Sequence, residues 1–243
     1  MASERGTAGR WHRRTLAASA NVRLAVGVLV WALVAVVAPA AVAENRVALV
    51  IGNGEYASKP LRNARHDGEL MARTLSDVGF EVVSVLDGDA AAMRTAITDF
   101  ARRIAAPDTV ALFYYAGHGV QADGENYLVP LGADITNMNE VALNAVALGD
   151  VLKTMARSES RLNIVILDAC RDNPFAGTAR AAAQGGLAPV VAPAGTIIGY
   201  ATAPGQIALD GAGNNSPYTA ALAFNMPRPA VTLEEVFRDT RRA

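Results

Sequence analysis

One cysteine, Cys170, is all that the 243-residue chain holds. No internal disulfide can form, so that thiol is buried, reactive or paired with another chain. Histidine is nearly as scarce: beyond His12 in the N-terminal segment there are only His66 and His118. Massed basic charge is also missing. Past residue 43 the chain carries 17 basic and 22 acidic groups, net −5, with no Lys/Arg stripe of the kind nucleic acid requires. No Lys follows Gly52-Asn53-Gly54 at the spacing of a phosphate-gripping loop, and the glycine spacing of a dinucleotide fingerprint fails there too. There is no internal repeat. Nucleic-acid binding and disulfide scaffolds are therefore excluded, and a nucleotide-binding α/β domain using Gly52-Asn53-Gly54 is left as the weakest of three readings.

What is present divides in two. Residues 1–43 hold five Arg against Glu4. Arg10, Arg13 and Arg14 lead into the apolar run Leu24 to Val37, and Ala41-Val42-Ala43 makes a small-residue cleavage site. An export signal or an uncleaved inner-membrane anchor is expected, because Leu24 to Ala43 is near spanning length. Either places residues 44–243 in the periplasm or facing it, with membrane contact only through an uncleaved leader.

Those later residues alternate strand and helix. Buried strands are expected at Arg46–Gly52, Thr109–Tyr115, Leu162–Leu167 and Thr196–Thr202, an alternating strand at Phe80–Leu86, and a short one at Asn126–Pro130 after an Asp123-Gly124 turn. Helices are expected at about Ala64–Val78, over 90–104 and at Leu148–Ala156. Another starts at Pro217 with Ser216 as its cap, and the last opens on the Thr232–Glu235 capping box. That last helix runs into the end of the sequence, which suits a domain cut short. Residues 176–195 read as a mobile Gly/Ala/Pro loop. The pattern predicts one α/β domain, a mainly parallel sheet with helices on both faces in three layers.

Two breaks carry the chemistry. The strand after Leu162 ends in Asp168, Cys170, Arg171, Asp172 and Asn173, at the carboxyl edge where open α/β sheets bind ligands. The strand after Thr109 ends in Ala116-Gly117-His118-Gly119. A thiol becomes a nucleophile when a neighbour takes its proton, and His118 stands at the equivalent strand end, whereas His66 reads as an exposed surface residue. Flanking glycines would let a substrate approach and leave N–H groups aimed at a developing oxyanion.

Tyr115-Ala116-Gly117-His118-Gly119 and Asp168-Ala169-Cys170-Arg171-Asp172-Asn173-Pro174-Phe175 resemble the two catalytic segments of caspase-like peptidases, in their bacterial metacaspase-related branch. The resemblance extends to Gly52-Asn53-Gly54, to Asn126–Pro130 and to Asn215–Thr219, and spans roughly residues 45–240. It implies a cysteine endopeptidase acting on protein or peptide substrates. Cys170 would attack the scissile carbonyl and His118 would manage the proton. The N–H groups of Gly119 and Cys170 would form the oxyanion hole. Asp67 and Asp168 would build an acidic pocket for Arg or Lys, while Arg62 suggests the opposite preference, for Asp. Arg180 lies where such enzymes carry a processed linker, so self-cleavage there is expected. Only Asp123, Glu125 and Asp134 follow His118 where many metacaspases bind calcium, so no metal and no cofactor is expected. Arg171 and Asp172 depart from the caspase pattern, which has Gly there. The runner-up is a catalytically silent caspase-like domain that serves as a binding scaffold.

Overall fold

The computed structural model describes residues 44–170, 187–202 and 213–243. Three apolar strands set the frame: β1 (Arg46–Gly52), β3 (Val110–Ala122) and β6 (Leu162–Cys170). Strand side chains alternate between faces, and here both faces are apolar. Val47, Leu49, Ile51, Phe113, Tyr115, Val165 and Leu167 enter one core. Ala48, Val50, Leu112, Tyr114, Ile164 and Ile166 enter the other. Such strands must be covered by helices on both sides.

The first core is closed by Met93, Ala96 and Phe100 of α2 (Ala90–Arg103), together with Val151, Leu152 and Met155 of α4 (Leu148–Ala156). Met71 and Leu75 of α1 (Ala64–Asp77), Leu222 of α5 (Pro217–Asn225) and Val236 of α6 (Leu233–Thr240) close the second. Truncating a fully buried ring such as Phe113 to Ala would cost about 3–5 kcal/mol.

β2 (Glu81–Leu86) and β7 (Thr196–Tyr200) complete a parallel arrangement in which β1 lies between β2 and β3, and β6 between β3 and β7. β2 is only half-buried, as expected at the sheet's margin. From Gly119 onward β3 pairs antiparallel with β4 (Glu125–Leu128), which pairs with the two-residue β5 (Val146–Ala147). Asp123 and Gly124, with φ of 51° and 83°, make the turn between β3 and β4. Between β4 and β5 lie a 3-10 turn (Met138–Glu140) and the four-residue α3 (Val141–Asn144), neither signalled by periodicity. Both help cover a third apolar cluster under the hairpin, built on Val120, Val129, Ile135 and Val141.

The α/β class and the helix positions agree with the sequence. Ser216 caps α5 by accepting from Thr219 N–H (3.0 Å), and the Thr232–Glu235 capping box is formed at α6. Two strands run further than their apolar stretches. β3 does not stop at Tyr115, because Ala116–His118 pair with Asp168–Cys170 on one side while Gly119–Ala122 pair with β4 on the other. β6 likewise continues through Asp168 to Cys170. Polar and glycine residues persist in strand conformation because their backbone groups find partners, so composition marked a break that the hydrogen bonding does not make. Residues 1–43 and Arg180 lie outside the described residues, as does most of the expected 176–195 loop. Among the described residues no helix is long and apolar enough to cross a membrane.

Candidate active site

The site is assembled where β1 and β6 end beside the middle of β3. Register places Gly52, Ala116 and Asp168 in one row across the three strands, and two residues further His118 and Cys170 are α-carbon partners. Adjacent strands are about 4.8 Å apart, so the expected pair lies side by side along the backbone.

His118 is held from three directions. Its Nε2 lies 2.7 Å from the Lys59 carbonyl. Only a donor suits a carbonyl, so Nε2 carries the hydrogen and Nδ1 is the basic nitrogen of the neutral ring. The backbone N–H of His118 donates to the Tyr56 hydroxyl (3.0 Å), and the two rings stand 4.4 Å apart at 49°. Its carbonyl accepts from the Tyr115 hydroxyl (2.7 Å) and from Val129 N–H (3.0 Å). The Tyr56 hydroxyl in turn donates to Val129 C=O (2.9 Å).

The glycines around His118 have a different reason from the expected one. A Cβ on Gly117 would lie 2.6 Å from the Tyr115 hydroxyl and 2.8 Å from that of Tyr56. A Cβ on Gly119 would lie 2.9 Å from Leu187 Cδ2. They make room for the protein's own groups. Nor does the imidazole sit at an open strand mouth: His118 is 1% exposed, beneath the loop that carries Tyr56 and Lys59. Gly119 is opposite Leu128 in a pair whose hydrogen bonds are made by neighbours, His118 C=O accepting from Val129 N–H. Backbone direction alternates along a strand, so the Gly119 N–H turns toward the β6 side.

The two carboxylates meet on one residue. Asp67 and Asp168 are 2% and 6% exposed, so both acids are buried. Asp67 Oδ1 accepts from Ser216 N–H (3.0 Å) and from Asn215 Nδ2 (2.9 Å). Asp168 Oδ2 accepts from the Ser216 hydroxyl and from Thr219 Oγ1 (2.7 Å). With Thr219 donating to the carboxylate, the Tyr114 hydroxyl donates to Thr219 (2.6 Å). Burial, and then the charges of Asp168 and Asp67, raise the Tyr114 phenol well above its ordinary range, so it stays a donor. Burial and Asp168 raise Tyr218 as well. Asp67 reaches this place because Gly52 and Gly68 let α1 lie on β1: a Cβ on Gly52 would come 3.0 Å from Gly68 Cα.

Arg62 and His66 are exposed on the surface. Among the described residues no three His, Cys, Asp or Glu side chains gather into a metal-sized group. Sequence reasoning gave Tyr56, Tyr115, Asn53 and Ser216 no role in the site, although Tyr115 and Asn53 lie in the quoted motifs and Ser216 was expected as a helix cap. Asn53 is fully buried; its amide donates to Gly88 C=O (3.2 Å) and Val129 C=O (3.3 Å) and accepts from Gly88 N–H (3.0 Å), tying three chain segments below the site. A buried Asn after a strand-ending Gly was the available signal.

Comparison with known proteins bears on the family and the fold. The family model of the caspase domain matches residues 45–243. Mucosa-associated lymphoid tissue lymphoma translocation protein 1 of Homo sapiens is 32% identical over 170 residues, covering 69% of this chain and 20% of the human protein. Its Mus musculus homolog is also 32% identical over 170 residues, with 69% of this chain and 19% of the mouse protein covered. The chain thus spans about a fifth of the length of these relatives. Among solved structures, protein GSU0716 from Geobacter sulfurreducens superposes with TM-score 0.60 at 14% identity, over 82% of this chain and 89% of that one. The Drosophila initiator caspase Dronc gives 0.52 at 12% identity, over 80% and 70%. At those identities the two structures speak for the fold alone.

Proposed function

From the premise that the chain belongs to the caspase-domain family, we propose that it is a cysteine endopeptidase of the bacterial metacaspase-related branch, working through His118 and Cys170. The observation that carries this is the register that makes those two residues partners across β3 and β6. In the reaction, the Cys170 thiolate attacks the scissile carbonyl. The proton it gave up rests on His118 Nδ1 and passes to the leaving amine; water then hydrolyses the thioester. The N–H groups of Gly119 and Cys170, which the β3–β6 pairing takes up in this structure, would have to leave that pairing to receive the developing oxyanion, and loss of one such donor typically costs about 3 kcal/mol.

The preference proposed is for Arg or Lys at the cleaved position. Two buried carboxylates that converge on Ser216 repel each other, and a guanidinium or ammonium relieves that repulsion. Exposed Arg62 offers no comparable enclosure for an Asp side chain. One observation favours the silent-scaffold reading instead: with His118 1% exposed, substrate has to open a path to the ring.

Fluorogenic peptides with Arg, Lys or Asp at the cleaved position, tested on wild type, Cys170→Ala and His118→Ala, separate these readings. Turnover of Arg and Lys peptides by wild type alone is expected. No turnover of any peptide favours the scaffold, and preference for Asp overturns the pocket. Export through residues 1–43 is part of the proposal, with an N-terminus at Glu44 expected in periplasmic material. So is self-cleavage after Arg180, which fails as an idea if Cys170→Ala protein is nicked there as fast as wild type. Activity is expected to survive chelation of divalent metals.

A further inference from the structure

The loop between β1 and α1 reaches His118 twice, and its placement has a cause that the proposed chemistry does not use. Asp87, just past β2, accepts from Gly54 N–H (2.8 Å) and Glu55 N–H (3.1 Å) through Oδ1, and from Arg65 Nη1 (2.8 Å) through Oδ2. Asp87 N–H donates to Gly52 C=O (2.9 Å), so the residue is fastened to the end of β1 as well. One carboxylate therefore pins the two residues that precede Tyr56. Tyr56 accepts the His118 N–H, packs on the imidazole and anchors its own hydroxyl on Val129 C=O.

We infer that Tyr56 is a positioning residue for His118, and that Asp87 holds Tyr56 in place by fixing the Gly54-Glu55 backbone. The inference rests on the dyad reading and deepens it. An imidazole that must take a proton from one neighbour and return it to a leaving group has to keep both its tilt and its tautomer. A peptide N–H fixed on a phenol, with the same phenol ring against the imidazole, restrains the side chain at its root and on its face. Misplacement by about 1 Å is enough to cost roughly a hundredfold in rate.

Because Cys170 is the only cysteine, alkylation by iodoacetamide reports on that one thiol without background. The pH dependence of this reaction gives the thiolate fraction and needs no knowledge of the natural substrate. It is measured on full-length wild type, His118→Ala, Tyr56→Phe, Asp87→Gly and Asp87→Asn, beside kcat and KM for an Arg fluorogenic peptide. Asp87 has φ of 54°, so Gly removes the acceptor without imposing strain, while Asn keeps an oxygen for the two N–H groups.

The expected result is an alkylation profile in Tyr56→Phe and Asp87→Gly displaced toward that of His118→Ala. Their kcat should fall by roughly tenfold with KM within about twofold, and Asp87→Asn should recover most of the rate. If Tyr56→Phe does not fold, the Asp87 pair decides. Folded variants with the wild-type profile and kcat overturn the positioning role alone. A wild type whose profile matches His118→Ala overturns the dyad, and the positioning role falls with it.

Discussion

The two corners of the site are built on different terms. At the imidazole corner, His118 is fixed by neighbours close to it in space along β3, by the hairpin it enters, and by one loop leaving β1. At the acid corner, Asp67 and Asp168 are fixed by Ser216, 149 and 48 residues away in sequence. Backbone groups and aromatic rings hold the first. A helix cap holds the second, since Ser216 accepts from Thr219 N–H to start α5 while its own hydroxyl and N–H serve the two acids. Loosening the first is expected to misplace a proton carrier, and loosening the second to blunt the recognition of charge. Rate and specificity should therefore fail separately.

The largest effect tests the imidazole corner. His118→Ala should lower kcat on an Arg peptide by about a hundredfold to ten-thousandfold and leave KM near its wild-type value, in steady-state assays of folded protein. Next comes the acid corner: Asp67→Asn, removing one charge from the pair, should lower kcat/KM for Arg peptides by about 3 kcal/mol, roughly a hundredfold, mostly through KM. Equal losses in kcat and KM at both corners would erase the distinction.

Ser216→Ala is intermediate, because it cuts a cap and a pocket contact together. Chemical denaturation should show a loss of about 1–2 kcal/mol, with a higher KM for Arg peptides. Asp89→Ala removes another cap, the one whose carboxylate accepts from Ala92 N–H at α2 (2.8 Å). It should cost about 1 kcal/mol and leave KM unchanged, which separates loss of stability from loss of recognition.

The smallest effect concerns pH. Burial works against the charged form of Asp87, but the Arg65 guanidinium and the Gly54 and Glu55 N–H groups outweigh it and bring the carboxyl below its ordinary value of 3.8. A carboxylate with a lowered folded-state pKa stabilises fully above its unfolded value, and that contribution fades as pH falls through the lowered one. The stability difference between wild type and Asp87→Asn should therefore be constant near neutral pH and shrink only below about pH 4, in denaturation series at stepped pH. A difference that shrinks on the alkaline side would contradict the assignment.

Much of the fold was legible in the sequence because its strands are apolar on both faces and its helices carry clear caps. Ser216 and the Thr232–Glu235 box both do what their residue types suggest. Strand ends were less legible: Ala116-Gly117-His118-Gly119 reads as a break, yet its backbone is paired on both sides and its glycines yield to Tyr56, Tyr115 and Leu187. The short turns around Met138 to Asn144 were silent, since three or four residues hold too little periodicity to signal anything. Within the site, His118 could be picked by residue type and its place at a strand end, whereas the acid pair follows only from the resemblance to caspase-like peptidases. Ser216 could not be linked to the acids, because a long-range cap that also binds carboxylates looks like any cap. Tyr56 and Asp87 were hidden for the same reason: a phenol in a loop and an acid in a turn show their use only when the chain brings them to His118 and Gly54.

A peptidyl chloromethyl ketone with Arg at the cleaved position offers the most direct test, since it alkylates a thiol, with chloride leaving, only when an imidazole partner and a basic-residue pocket act together. Mass spectrometry of the full chain should find one adduct, on Cys170, in wild type, and little in His118→Ala or with the matching Asp ketone. Equal labelling of wild type and His118→Ala would contradict the account.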